Sequence, residues 1–426
     1  MLTAIVIVFV IGYAAIALEH GIGVNKAAIA LVTGVLCWTI YIAFAPDTHT
    51  VSKQLTEHLG TLSGLLFFLL GAMTIVELID VHDGFNIITD RIHQTNKRAL
   101  LWIISFITFI LSPLLDNLTT TIIMVSLVRK LIKQPEDRLL FIGMIIIASN
   151  AGGAWSPIGD VTTTMLWMGG QITAGNIVLS LFFPCLVCLI VPLIVLSRQC
   201  KGRVTKPETT GNGKISDLTR KQQAIVLFSG LLILILVPVF KTITHLPPYM
   251  GILIGLGILW ITTEIMNGRK PENEKNYLSV SHALRKIDSP SILFFLGILL
   301  SIAALESVGI LHSIAEKMSS SLGNENTIVL SIGLLSSIVD NVPLVAAVQG
   351  MYDLNQYPTD DYFWKFIAYA TGTGGSVLII GSAAGIAAMG MEKIRFFWYL
   401  KKISLLALLG YFSGAGIFIL QQILFR

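Results

Sequence analysis

Charge is what this sequence has least of. Only 13% of its 426 residues are Asp, Glu, Lys or Arg, against 54% hydrophobic residues and a mean hydropathy of +0.78. A soluble globular chain carries about 25% charged residues, so this composition excludes that class and puts the chain in lipid. Cysteine is also scarce. Cys37, Cys185, Cys188 and Cys200 are too scattered for a disulfide framework, and Cys185 and Cys188, despite redox or metal spacing, sit in an apolar stretch with no polar ligand nearby. Nothing pairs a nucleophile with a base, assembles a metal set or forms a phosphate loop, so an enzyme is not expected. His20, His49, His58, His245, His282 and His312 read as loop or interface residues without metal spacing. The net charge of +4 resides in loop Lys and Arg, which reports membrane topology and implies neither a nucleic acid nor a soluble partner. No Lys or Arg precedes the apolar run 1–18, which therefore reads as a first span and not as a cleaved signal peptide.

What the sequence has in abundance is apolar runs near the ~20 residues that a bilayer requires. They predict spans at 1–18, 26–45, 60–80, 139–170, 176–197, 223–241, 247–266, 290–310, 362–391 and 403–424. Two pairs of shorter apolar segments remain, 99–114 with 117–132 and 327–338 with 341–352. Each pair breaks at an Asp-Asn, Asp116-Asn117 after Pro113 and Asp340-Asn341 before Pro343. Because Pro cannot continue a helix without losing a backbone hydrogen bond and Asp and Asn favour turns, each pair reads as a re-entrant hairpin. The expected fold is an all-α polytopic membrane protein, with about ten transmembrane helices and two re-entrant hairpins arranged in two inverted-topology repeats.

Loop charge supports that layout. If the first hairpin enters from the cytoplasm and the second from outside, all but five of the 29 Lys and Arg (Lys53, Lys241, Lys317, Lys365 and Arg426) fall in cytoplasmic segments. Both termini then lie outside. The chain also repeats itself: FFLLG at 67–71 answers FFLG at 294–297, SPLLDNLTT at 112–120 answers SSIVDNVPL at 336–344, and ASNAGGAWSPIGD at 148–160 answers ATGTGGSVLIIGS at 370–382. Residues 1–198 form the first repeat, with hairpin 99–132 and broken helix 139–170. Residues 199–222 form a cytoplasmic linker, and 223–426 form the second repeat, with hairpin 327–352 and broken helix 362–391. Each half has an odd number of crossings, so the second is inserted upside down, as in secondary transporters whose halves build one midplane site.

The chemistry-bearing residues concentrate at the tips and breaks. Asp116, Asp160 and Asp340 are the acidic residues there, and an ionisable group at membrane depth is functional by default. Carboxylate, amide, hydroxyl and freed backbone oxygens suit a small hard cation, and one aspartate can hold either a proton or that cation. A lysine-paired aspartate is the structural alternative, and helix packing is as good an account of the Thr162 to Thr164 hydroxyls. Gly152, Gly153, Gly374 and Gly375 are expected to shape backbone. Glu77, Asp80, His82, Asp83, Asp90 and His93 gather at one helix end, where a solvated surface is the simpler reading and a proton entry or pH sensor the sharper one. Glu306 is the repeat partner of Asp80.

The stretches SPLLDNLTTTIIM (112–124), ASNAGGAWSPIGDVTTTMLW (148–167), IVDNVPLVAA (338–347) and TGTGGS (371–376) carry a specific resemblance. Over nearly its whole length the chain resembles the NhaD-type sodium/proton antiporters of the ion transporter superfamily. That resemblance implies a bacterial inner-membrane protein, often homodimeric, which needs no cofactor and exchanges cytoplasmic sodium or lithium for external protons. It implies functional positions at Asp116, Asn117, Asn150, Asp160, Thr162, Thr163, Ser336, Asp340, Asn341, Thr373 and Ser376, with sodium at Asp116, Asn117, Asn150, Asp340 and Asn341. Dicarboxylate carriers of the same superfamily, with neutral Ser-Asn-Thr tips, and arsenite or silicic-acid efflux carriers are the rivals. Aspartate at both tips argues against an anionic substrate, whose charge would face like charge in a low-dielectric site.

Overall fold

A computed structural model describes residues 1–17, 19–90, 92, 94–205 and 218–424. His93 and most of the expected linker, including Lys206-Pro207 and Gly211-Asn212-Gly213, lie outside the described residues. All regular structure among those described is helical, and nine helices are long and apolar enough to cross a membrane. The protein is thus a multi-pass, all-helical membrane protein.

Helix starts follow side-chain capping, which matters in lipid because no water is there to satisfy the first-turn N–H groups. Asn25 caps Lys26–Phe44, Asp47 caps Thr48–Val81 and Asn96 caps Lys97–Leu115. Asp116, Asp160 and Asp340 do the same for Asn117–Leu131, Val161–Met168 and Asn341–Met351. The three acidic residues singled out from the sequence therefore have a structural task as well.

Two helices are interrupted. Pro135–Ala154 stops at Trp155 and the chain resumes as Val161–Met168, while Tyr362–Gly374 stops at Gly375 and resumes as Ala383–Glu392. The backbone is nearly the same at the two restarts, φ −145° and ψ 144° at Asp160 against φ −145° and ψ 153° at Ser382. Glycine permits the close approach around them: a Cβ on Gly152 would lie 2.6 Å from the Phe109 carbonyl oxygen, and one on Gly374 2.0 Å from that of Gly333. Each broken helix thereby packs backbone to backbone on the first arm of the helix pair preceding it.

Several boundaries differ from the sequence reading, and one helix is added to it. The helix expected at 60–80 is Thr48–Val81, 34 residues, because Lys53, Gln54, Glu57 and other polar residues before Gly60 are competent helix formers once Asp47 caps them. The first arm expected at 99–114 is Lys97–Leu115, whose 19 residues suffice by length to cross, with Pro113 accommodated inside it. An amphipathic helix, Ile310–Leu322, lies between Ser289–Ser307 and the second pair; it buries only Leu311 and Ala315, too thin an apolar stripe to register as a span.

Contacts come in matched pairs. Lys26–Phe44 packs on Ser289–Ser307 as Pro248–Asn267 packs on Thr48–Val81, and Ala383–Glu392 packs on Asn117–Leu131 as Val161–Met168 packs on Asn341–Met351. Ala174–Gln199 packs on Phe396–Leu424, and Pro135–Ala154 on Tyr362–Gly374. The basic loops gather at one end. The amides of Lys97, Val204 and Lys133 donate to the carbonyls of Gly202, Thr95 and Thr205, and Arg129 and Arg138 both pair with Glu392. At the opposite end Asp360 accepts hydrogen bonds from the amide and hydroxyl of Thr173, each 2.7 Å.

Candidate functional site

The residues after both tips reach the Asp160 carboxylate of the first break, which is 2% exposed, and the second break joins them through Asn150. Asn117, one residue past the first tip, donates through Nδ2 to Asp160 Oδ2 at 2.9 Å. Asn341, one residue past the second tip, reaches the same oxygen at 3.4 Å. The other oxygen, Oδ1, accepts the Thr162 amide at 3.0 Å. Asn117 Nδ2 also donates to Asn150 Oδ1 at 3.0 Å, and Asn150 Nδ2 donates to Ser376 Oγ and Ser382 Oγ, both at 2.9 Å. Helix restarts fix this geometry: as N-cap, Asp160 is held in extended backbone, and Asn117 and Asn341 open their own helices, so both amides project from first turns.

Of the residues expected at the site, the structure brings Asn117, Asn150, Asp160, Asn341 and Ser376 into this network. Asp116 and Asp340 stand aside from it. Asp116 accepts from the Thr119 amide at 2.7 Å and the Thr119 hydroxyl at 2.9 Å. Asp340 accepts the Val342 amide at 3.4 Å and has Lys26 Nζ 3.9 Å away, so the lysine-paired alternative applies to this residue. Three expected hydroxyls bond to main-chain carbonyls: Ser336 to Thr371, Thr373 to Tyr369, and Thr163 to Asp160. Thr162 Oγ1 is buried with no hydrogen-bond partner of ordinary geometry among the described residues.

The sequence reading missed two members. Ser382 faces Asn150 and already stands opposite Asp160 in the alignment of 148–160 with 370–382, so carrying the site assignment across that alignment finds it. Ser112 donates to the Ser149 carbonyl at 2.5 Å, as its counterpart Ser336 does to Thr371 at 2.9 Å. The gathering of acids and histidines at the end of Thr48–Val81 is only partly a solvated surface. Asp80 is exposed, but His82 is fully buried, with Nδ1 2.8 Å from the Leu78 carbonyl and Nε2 3.0 Å from Asn267 Nδ2.

A buried carboxylate that accepts from two side-chain amides and one main-chain amide, with no lysine or arginine among its hydrogen-bond partners in the described residues, can hold a proton or a hard cation and offers little to an anion. Comparison with known proteins returns a carrier of an anion by family description and sodium/proton antiporters among the relatives. The family described as "Citrate transporter" matches residues 7–372. "Sodium/proton antiporter 1" of Arabidopsis thaliana is 48% identical over 418 residues, 98% of this chain and 72% of the relative. The "Na(+)/H(+) antiporter NhaD" of Vibrio parahaemolyticus is 31% identical over 419 residues, covering 90% and 97%, and that of Alkalimonas amylolytica 30% over 429 residues, covering 92% and 85%. Relatives from plants and bacteria alike are carriers by name, not enzymes. Matched along most of its length by both the family and these relatives, the chain belongs to the citrate-transporter family of membrane carriers and, within it, with the NhaD-type sodium/proton antiporters.

Proposed function

We propose that this protein exchanges sodium, or lithium, for protons, with Asp160 at the hub of the cation site and Asp116 and Asp340 as the flanking carboxylates. The observation that carries the reading is that one carboxylate oxygen, Asp160 Oδ2, is approached by the Asn that follows each Asp-containing tip. In the cation-bound state Asp160, the Asn117, Asn150 and Asn341 side-chain oxygens and nearby hydroxyls replace sodium's hydration shell. In the proton-bound state the same carboxyl is neutral, so the two occupants exclude one another and exchange follows.

Two halves in inverted topology, rocking about this point, give alternating access; the matched packing pairs and the near-identical backbone at Asp160 and Ser382 support that arrangement. Gathering of the basic loops at one end supports a cytoplasmic assignment for that end, with both termini outside and the chain in the inner membrane of a bacterium. A homodimer is the assembly we infer from the resemblance. The test is a pH-gradient assay in everted vesicles with sodium, lithium, potassium and citrate added in turn. Sodium and lithium are expected to dissipate an acid-inside gradient. A response to citrate alone overturns the antiport reading and makes the protein an anion carrier.

A further inference from the structure

A second polar feature lies outside the Asp160 network. A cavity of about 210 Å³ is bounded by the end of Thr48–Val81, by the second arm Asn117–Leu131 and by the segment around Ile287. At its exposed side stand Asp80, Lys130, Lys286 and Asp288, with half-buried Glu77 beside them. Its wall also includes Thr119, the residue whose amide and hydroxyl both bond to Asp116. Lys286 Nζ is 3.5 Å from Glu77 Oε1, whereas Asp80 has no ion-pair partner within 4.0 Å among the described residues. A cavity beside the second tip is walled by Phe9, Tyr13, Ile302, Leu305 and Pro343 and presents almost no polar surface.

We propose that the charged cavity is the route by which the cation reaches Asp116 from the basic end of the molecule, and that Lys286 sets affinity there by occupying the Glu77 and Asp80 carboxylates until sodium displaces it. This inference rests on the antiport reading. An ammonium tethered 3.5 Å from one acid with a second acid beside it is an internal competitor for a monovalent cation. Deleting the competitor and deleting the acids should therefore act in opposite directions, which a merely structural ion pair does not predict.

The experiment measures the sodium concentration for half-maximal exchange in everted vesicles carrying wild-type protein, Glu77→Gln, Asp80→Asn or Lys286→Gln. Glu77→Gln and Asp80→Asn are expected to raise it about two- to fivefold and Lys286→Gln to lower it by a similar factor, as partly exposed charge pairs do. Added choline chloride should shrink all three differences by screening. Shifts in one common direction, or none while wild-type vesicles still respond to sodium, overturn the proposal and leave antiport standing. Absence of any sodium response in wild-type vesicles removes both. If a charge variant does not insert, Ser126→Cys in a chain with its four native cysteines replaced by serine decides. A cationic methanethiosulfonate reagent applied to the basic face should block exchange, more slowly with sodium present, and failure to modify the thiol overturns the route.

Discussion

The two tips share Asp-Asn and differ in what surrounds the aspartate. Asp116 sits in left-handed backbone at φ 71°, closes one helix and caps the next, and has no cationic partner within 4.0 Å among the described residues. Asp340 has ordinary backbone at φ −50°, donates its amide to Tyr13 Oη at 3.2 Å and shares its charge with Lys26, whose Nζ also lies 4.5 Å from the centre of the Phe294 ring. The breaks differ in the same sense, with Asp160 in the first half answered by Ser382 in the second. A backbone that pairs element by element thus carries an uneven charge, two uncompensated carboxylates on one side and one compensated on the other. An exchanger of charged ions is better served by that inequality, because one dominant site can be emptied completely while two equal ones would share the ion.

The largest effect expected from breaking the comparison is at Asp160. Asparagine caps helices as well as aspartate does, so Asp160→Asn keeps Val161–Met168 in place while it removes the charge and puts a donor where Oδ2 accepted from Asn117 and Asn341. A hydrogen-bonded charge is worth about 1.5–3 kcal/mol, which sets a loss of sodium affinity of about ten- to more than a hundredfold. Exchange in everted vesicles should fall below detection while the protein still inserts; wild-type rates would remove Asp160 from the mechanism. Moving the carboxylate across the break, in an Asp160→Ser, Ser382→Asp double variant, should restore part of the exchange if position matters less than presence.

Next in size is the contrast between the tips themselves. Asp116→Asn should abolish most exchange, since nothing compensates the lost charge. Asp340→Asn leaves Lys26 unpaired and places a bare ammonium near the site, so it should also fail. Adding Lys26→Gln to Asp340→Asn should recover a measurable fraction, whereas adding it to Asp116→Asn should recover none. Equal behaviour of the two double variants would mean that Lys26 does not distinguish the tips.

Competition between proton and sodium on these carboxylates has a defined sign. A proton bound at low pH must leave before sodium binds, so apparent sodium affinity should improve as pH rises, by up to about tenfold per pH unit for each proton displaced, until the carboxylates are ionised. Affinity that stays flat across the titration would mean that the two ions occupy separate groups.

Much of this was legible in the sequence because lipid leaves few options: apolar runs must be helices, and Asp-Asn, Pro and Gly within them must mark interruptions. The breaks near Gly153 and Gly375 follow from glycine, proline and the repeat, whereas Asn117, Asn150 and Asn341 are named through the family resemblance. What did not follow is which aspartate is central. Asp116, Asp160 and Asp340 are all N-caps at interruptions, and only three-dimensional packing turns Asp160 toward both asparagines while Thr119 and Lys26 engage the other two. Hydropathy also misplaced the start of Thr48–Val81, because polarity signals exposure and does not signal the end of a helix.

The smallest effects concern hydroxyls, where the halves again differ: Thr162 has Ala384 as its repeat counterpart, while Ser112 and Ser336 match. Ser336 Oγ already donates to the Thr371 carbonyl at 2.9 Å, so Ser336→Ala removes a buried hydrogen bond worth about 1 kcal/mol and leaves that carbonyl unpaired. Its signature should be a melting temperature lowered by about 1 °C, with sodium affinity little changed. Thr162 Oγ1 is buried beside the Asp160 carboxylate with no hydrogen-bond partner of ordinary geometry among the described residues, an arrangement that costs stability unless a bound ion uses the oxygen. Thr162→Val should then keep or raise the melting temperature while weakening apparent sodium affinity about two- to fivefold, the scale of one neutral oxygen's contribution. If both variants lower stability and neither moves affinity, both hydroxyls pack helices and the cation is held by the carboxylates, amides and backbone alone.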